Sequence, residues 1–438
     1  MINLSDCFKN KFELLKKNIE ESKRIRILAH YDVDGVSAAA IIFNTFKGKD
    51  FHISFVKNLS KENIKNFLEE KKDFYLFLDM GSSLISYLEG KANCAVLDHH
   101  PPEKDSENII HINPNFCGYS GSKDACGSTL AFLFSIYINE KNIELYPLYL
   151  SGVIGDKQNI GGYSGLNLEL VNILKNNVPV KSTLKTQGKN IFEALLYSTE
   201  PFIEGFSGKQ DNVLNILKRI GIDSNSNFDS LDDEKKTKLL SWIALNLLKR
   251  NVEKEIIESV LVESFNIGKF NDTFLSEIVD ACARQEKQGL ALAYLIGDKS
   301  RESEIIQIYV EYKKKLINEI YNAIQNTKNL KNLQYFFVSE DSMAGAVASS
   351  LMLYYLDRKK VTVAFHEKDS ELRVSGRATR KLVENGIDLG KNFKFCAEKF
   401  NGYGGGHDIA AGANISKEKF EDFLKCLDEN LGANNDNT

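Results

Sequence analysis

The chain has 438 residues, 43% of them hydrophobic and 26% charged, with a formal net charge of −4. That length provides for two to three domains with buried cores, and the charge balance excludes a histone-like basic protein, so any nucleic-acid contact must come from a local patch. No apolar run reaches the length of a membrane span and the first six residues carry no signal-peptide pattern; the seven scattered cysteines, with no CxxC pair, read as buried or free thiols of a reducing cytosol rather than a disulfide or zinc framework.

Residues 1–23 read as a polar helix leading into a first strand, Ile25–Ala29, which is Ile-rich as a buried parallel strand is. His30-Tyr31-Asp32-Val33-Asp34-Gly35 follows, then a small-residue helix over 37–43 that Ser37 or Asp34 can cap. On extended backbone His30, Asp32 and Asp34 point the same way and converge, three hard donors suited to a divalent cation. A strand over 51–56 and a helix over 61–71, with Ile64, Phe67 and Leu68 inward, come next. Strands at 74–78 and 94–97 repeat the first construction, one ending in Asp79 and the other in Asp98-His99-His100. Carboxylates crowded at successive strand ends repel one another unless cations neutralise them. A strand at 109–112 completes an alternation that predicts an α/β fold with a parallel, doubly wound sheet, which binds ligands at its carboxyl edge. His52 and His111, on or beside strands and without acidic company, read as structural.

The Gly- and Ser-rich loop 116–128 opens a helix over 129–138, and its amides suit either a bound anion or an ordinary loop. An apolar helical segment from Leu148 stops at Gly155-Asp156, making Asp156 the natural fourth acidic ligand. All six prolines lie at or before Pro201, and from about 189 to 330 the spacing is mainly helical (191–198, 211–219, 233–249, 252–264). A long amphipathic helix over 305–324, its lysines facing solvent, closes this region. Within it Arg284, in Asp280-Ala281-Cys282-Ala283-Arg284, is a candidate phosphate ligand. Strands return at 335–338 and in a hairpin of 361–365 with 372–375, after a helix over 344–356. Arg373, Ser375 and Arg377 lie on a basic strand, and Gly404, Gly405, Gly406 and His407 lead into a small-residue helix at 408–413. Read alone, these suit equally a surface hairpin with a glycine turn or a clamp for a phosphodiester anion. The tail 432–438 reads as disordered.

HxDxDG at 30–35, Asp79 after its strand, the DHH triplet at 98–100, Asp156 after Gly155 and GGGH at 404–407 together resemble the DHH phosphoesterase superfamily, over about 24–415. The basic strand and GGGHDIAAG look like the DHH-associated nucleic-acid-binding domain. The length, the helical middle, Thr199-Glu200-Pro201-Phe202 and the pattern at 280–289 are most similar to archaeal RecJ-like single-strand exonucleases. Bacterial RecJ has Asn-Ala-Ala-Gly-Arg where Asp280 and Ala283 stand here, so Arg284 matches the pattern less closely than the metal ligands do.

The resemblance implies a DHH catalytic domain over 1–188, a helical region with a connecting helix over 189–330, and a smaller α/β DHH-associated domain over 331–431. It implies one metal held by His30, Asp32 and Asp79 and another by Asp34, Asp79, His99 and Asp156, with Asp98 and His100 as orienting or catalytic partners. Two such cations activate water and stabilise both oxygens of an in-line phosphoryl displacement, with Mn²⁺ preferred over an accepted Mg²⁺ because imidazole is in the ligand set. Arg373, Arg377 and His407 would hold phosphates of single-stranded DNA or RNA. The same superfamily includes enzymes for short oligonucleotides, bisphosphonucleotides or cyclic dinucleotides, and replisome subunits that bind the GINS complex. A cytoplasmic enzyme is expected, with GINS or another replication or repair protein as a further partner.

Overall fold

A computed structural model describes residues 6–265 and 270–433. The chain forms two compact units, Met1–Lys181 with Glu263–Tyr309, and Ser182–Val262 with Val310–Thr438. The helical stretch expected at 189–330 is therefore shared between them.

The first unit begins with α1 (Asp6–Glu21), β1 (Arg24–His30), α2 (Val33–Thr45), β2 (Asp50–Val56), α3 (Lys61–Leu68) and β3 (Phe74–Leu78). It continues through α4 (Ile85–Leu88), β4 (Cys94–Leu97), β5 (Ile110–Ile112), α5 (Gly127–Ile138), α6 (Tyr146–Gly155) and α7 (Gly165–Lys175). Its five strands are all parallel, in the order β2-β1-β3-β4-β5. Every residue of β3 and β4 is buried, which is why these strands read as unbroken apolar runs rather than alternating ones. Leu28, Phe77 and Val96 meet Ile64 of α3 and Ile85 and Leu88 of α4, while α2 and α5 also pack on the sheet. From the internal strand β1 the chain first adds β2 on one side and then β3 on the other. That reversal opens a crevice at the carboxyl ends of β1 and β3.

The chain then runs through β6 (Val180–Leu184), α8 (Ile191–Leu196), α9 (Gln210–Ile220), α10 (Asp233–Leu248), α11 (Lys254–Glu258), β7 (Leu261–Phe265), α12 (Asp272–Arg284), α13 (Gln288–Leu295) and α14 (Glu302–Asn326). Last come β8 (Lys328–Asn329), β9 (Leu333–Phe337), α15 (Asp341–Tyr354), β10 (Val361–Lys368), β11 (Glu371–Arg377), α16 (Arg380–Glu384), α17 (Leu389–Lys399), β12 (Tyr403–Gly406), β13 (Ala410–Ser416) and α18 (Phe420–Ala433). The second unit holds a six-stranded mixed sheet, β12-β13-β11-β10-β9-β8, in which only β9 and β10 run parallel. Alternation along β11 sends Leu372, Val374 and Gly376 into a core with Phe393, Phe423 and Leu427. Arg373, Ser375 and Arg377 face the other way.

Several expectations are corrected. The helix expected over 252–264 stops at Glu258 and gives way to strand β7. The GGGH segment is strand β12, and the small residues at 410–416 form β13 rather than a helix. A close approach selects the small residues: a Cβ on Gly404 would lie 2.8 Å from the Phe393 carbonyl oxygen of α17. Gly432 and Ala433 belong to α18, and 434–438 lie outside the described residues. Lys313, expected to face solvent, is buried and donates to Thr199 Oγ1 at 3.2 Å. The cysteines are not all thiols: Cys7 is bonded to Cys117 and Cys396 to Cys426, while Cys94, Cys126 and Cys282 are free and buried. Spacing could not reveal this, because a disulfide depends on Cα atoms brought to about 6 Å by the fold.

Candidate functional site

The crevice gathers every metal-ligand candidate. His30 closes β1; Asp79 follows β3; Asp98, His99 and His100 follow β4; Asp156 follows α6. The convergence of His30, Asp32 and Asp34 does not come from extended backbone, as the sequence suggested. β1 ends at His30 and α2 starts at Val33, so Asp34 sits in a first helical turn. Asp32, not Ser37 or Asp34, is the N-cap, accepting the Gly35 N–H at 3.1 Å. Ser37 is buried, and its Oγ has no hydrogen-bond partner among the described residues.

Three sets of donors each lie within 4.8 Å of one another: His30, Asp32 and Asp79; Asp79, Asp98, His99 and His100; and Asp34, Cys126 and Asp156. Asp79 joins the first two. Its backbone is left-handed, with φ 57°, a region Asp tolerates better than most residues. Its carboxylate is buried, with His30 Nδ1 at 3.2 Å from one oxygen and His99 Nε2 at 3.1 Å from the other. Despite that distance, Oδ1 accepts no hydrogen bond of good geometry. A buried carboxylate oxygen without a donor is costly, and an acceptor facing several other acceptors fits a cation. The donor set, carboxylates with imidazoles, fits a divalent transition ion equally well.

The supporting hydrogen bonds set the roles. His99 Nδ1 is 2.5 Å from the Gly121 carbonyl, which can only accept, so Nδ1 carries a proton and Nε2 faces Asp79 and, at 3.5 Å, Asp156. Asp34 accepts the N–H groups of Gly127 and Ser128 at 2.6 and 2.8 Å, at the start of α5. The Gly/Ser loop thus holds an anion, but the anion is the protein's own carboxylate. Asp98 accepts Ser82 N–H at 2.9 Å and holds His100 Nδ1 at 2.7 Å, leaving the His100 ring half-exposed. Ser82 is tied in turn to His111 and Asn113. His111 is buried and tied into this network, but both histidines expected to lack acidic company have it: Asp105 lies 4.0 Å from His111 Nδ1, and Glu70 lies 3.4 Å from exposed His52. Cys126, and Gln158, whose Nε2 donates to Asp156 at 3.1 Å, were not singled out from the sequence. Both flank residues that were, but only folding brings them to the carboxylates.

Protonation reflects the crowding. Burial alone would pull His30 down, but Asp32 and then Asp79 override it and push the imidazole up to about 11. Burial opposes ionisation of Asp79 too, yet His30 and His99 hold it well below the usual carboxylate range. Burial and repulsion from Asp79 and Asp156 push Asp34 up to about 8. Burial, offset in part by His99, pushes Asp156 up to about 6. Protons on these groups occupy the places cations would take, so cation binding must release them. The half-saturating Mn²⁺ concentration should therefore fall as pH rises from 6 to 9, by about tenfold per pH unit for each proton displaced. Equilibrium dialysis at constant ionic strength reads this directly, and a flat profile contradicts it.

The remaining candidates lie on other elements. Arg284, in α12 of the first unit, donates to Asp280 at 2.7 Å one turn earlier. In the second unit Arg373 pairs with Asp341 at 2.6 Å, and Arg377 Nε donates to Ser349 Oγ at 3.1 Å, both on α15. Ser375 lies directly opposite Gly412, which lies opposite Gly405. This row leaves part of the sheet bare of side chains, next to exposed Tyr403 and His407. A Cβ on Gly405 would meet nothing within 4 Å.

Residues 24–153 match the DHH family, N-terminal domain, and residues 330–433 match the DHHA1 domain. An uncharacterized protein of Methanocaldococcus jannaschii is 34% identical over 427 residues, spanning 93% of each chain. The single-stranded-DNA-specific exonuclease RecJ of Thermus thermophilus is 27% identical over 168 residues, 34% of this chain and 25% of that protein. The structure of that RecJ in complex with Mn²⁺ has a TM-score of 0.60 at 17% identity, covering 98% of this chain and 55% of the other. CDC45 from Entamoeba histolytica is similar in fold, with a TM-score of 0.66 at 13% identity over 97% and 98% of the two chains. Among the described residues, no helix is long and apolar enough to cross a membrane.

Proposed function

This chain belongs to the RecJ-like branch of the DHH phosphoesterase superfamily, and on that premise we propose that it is a metal-dependent exonuclease hydrolysing phosphodiester bonds of single-stranded DNA or RNA. The observation that carries the proposal is the complete donor set, His30, Asp32, Asp34, Asp79, His99 and Asp156, converging at the carboxyl edge of one parallel sheet. His30, Asp32 and Asp79 would hold one cation, and Asp34, Asp79, His99 and Asp156 the other. Bound there, divalent cations supply Lewis acidity and an activated water for in-line displacement. Mn²⁺ is the preferred ion, given two imidazole donors, with Mg²⁺ accepted; the Thermus RecJ is known with either ion.

The chain's own groups position and neutralise. The α5 amides fix the Asp34 carboxylate, and the Gly121 carbonyl sets the His99 tautomer. Asp98 holds His100 at the open side of the crevice, where burial is outweighed by Asp98 and the imidazole pKa is raised. His100 thus presents a hydrogen-bond donor to a phosphate oxygen. In the second unit, Arg373 and Arg377 flank the strip of Ser375, Gly412 and Gly405, on which a sugar–phosphate backbone can lie close to the main chain, with His407 just past the end of β12; Gly404 packs against α17 instead. Arg284 is a further phosphate ligand.

The test is degradation of an oligonucleotide labelled at either end, with Mn²⁺, Mg²⁺ or EDTA. Stepwise, metal-dependent products support the exonuclease, and the longer-lived label gives its polarity. Cleavage confined to dinucleotides or bisphosphonucleotides would instead make it a short-substrate phosphodiesterase. Gly405→Val separates binding from folding: with open space around that Cβ, stability should change by no more than about 0.5 kcal/mol, while oligonucleotide affinity measured by anisotropy falls at least tenfold. Unchanged affinity would remove the bare strip from the interface. The fold likeness to CDC45 favours a second reading, a replication component acting beside the GINS complex. Retention of all cation donors argues for catalysis in either setting.

A further inference from the structure

The second unit contains a cavity of about 820 Å³ that uses none of the residues assigned above. The end of α10, the turn after α15 and α16 form its walls. Its lining carries five cationic side chains, Lys249, Arg250, Arg358, Lys359 and Lys381, against two carboxylates, Glu253 and Asp357.

Partners divide the cations into two kinds. Lys381 is paired with Glu253 at 2.9 Å, and Arg250 with Glu204. Arg358 donates to the carbonyls of Leu353, at the end of α15, and of Arg250 and Asn251, just past α10. The Leu353 carbonyl lies at the negative end of the α15 dipole, which would repel an anion; the guanidinium offsets it together with the two turn carbonyls after α10. Lys249 and Lys359 are exposed, and their ammonium groups have no partner among the described residues. Against one wall the Arg250 guanidinium lies over the Tyr355 ring, 4.3 Å from its centroid, a cation–aromatic pair of the kind on which nucleobases stack. The volume suits a ligand of nucleotide size, and the excess of positive charge suits a phosphate monoester, which carries about −1.5 to −2 near neutral pH.

We propose that this cavity is a binding site for a nucleoside monophosphate, with Lys249 and Lys359 meeting the phosphate and the Arg250–Tyr355 pair meeting the base. The site is separate from the metal donors and does not depend on the proposed nuclease activity.

The test is titration calorimetry of the full chain with AMP, inorganic phosphate and adenosine, in EDTA so that no cation bridges the ligand to the carboxylates. AMP is expected to bind saturably at one site, at least tenfold tighter than phosphate or adenosine. Affinity should fall at least tenfold in Lys249→Gln/Lys359→Gln, whose melting temperature should match that of the parent because both side chains are exposed. Asp79→Asn and Arg373→Ala should leave AMP binding unchanged. Three outcomes overturn the proposal: no saturable binding at millimolar AMP, binding that survives the double substitution, or binding lost on Arg373→Ala instead.

Discussion

Asp79→Asn should lower metal-dependent phosphodiester hydrolysis by about 10³-fold, the equivalent of about 4 kcal/mol of transition-state stabilisation. The size follows from position. Asp79 shares one donor set with His30 and Asp32 and another with Asp98, His99 and His100, so losing its charge should weaken both proposed cation sites together. Asparagine is the right replacement because the residue sits at φ 57°, where Asn is among the side chains that pay least. The variant should therefore fold, with an unchanged circular dichroism spectrum, and fail at Mn²⁺ binding and turnover. Asp98→Asn is the comparison. Asp98 touches His100 and the Ser82 amide rather than the open crevice, and losing such an orienting group costs about 10–100-fold. If Asp79→Asn kept activity within tenfold of the parent, the shared-ligand assignment would fail.

Gly35→Ala should destabilise the first unit by about 3 kcal/mol, lowering its Tm by roughly 6–12 °C, and abolish high-affinity Mn²⁺ binding. A Cβ there would lie 2.2 Å from the His30 carbonyl oxygen and 2.7 Å from both the His30 carbonyl carbon and nitrogen. All three atoms are backbone, so no rotamer change relieves the collision; the end of β1 must separate from the first turn of α2. That movement carries His30 away from Asp79 and breaks the Asp32 cap on the Gly35 amide. Calorimetric melting and Mn²⁺ titration of the same preparation check both halves. A variant as stable as the parent would show that the β1–α2 turn relaxes freely.

Much of the candidate metal site was legible in the sequence because parallel strands place their next residues at one edge. Asp79 and Asp98-His99-His100 directly after buried strands needed no further information to be brought near His30. Asp156 was legible only as the residue that stops an apolar helix. Other parts depended on contacts the sequence does not encode locally. Cys126 and Gln158 approach the carboxylates only once α5 and α6 pack beside α2. The GGGHDIAAG segment misled because Gly and Ala are compatible with a loop, a helix or a strand. Here they form strands because α17 leaves no room for side chains at Gly404.

By itself the sequence determined the α/β class and the parallel order of construction in the first half, and it pointed to the acidic and imidazole side chains that meet in the crevice, since strand burial and turn chemistry are local properties. Tertiary structure alone decided two things: which four cysteines pair, and that the α5 amides hold Asp34 rather than a ligand. Each depends on distances between residues far apart in the chain, and only the packed fold fixes those.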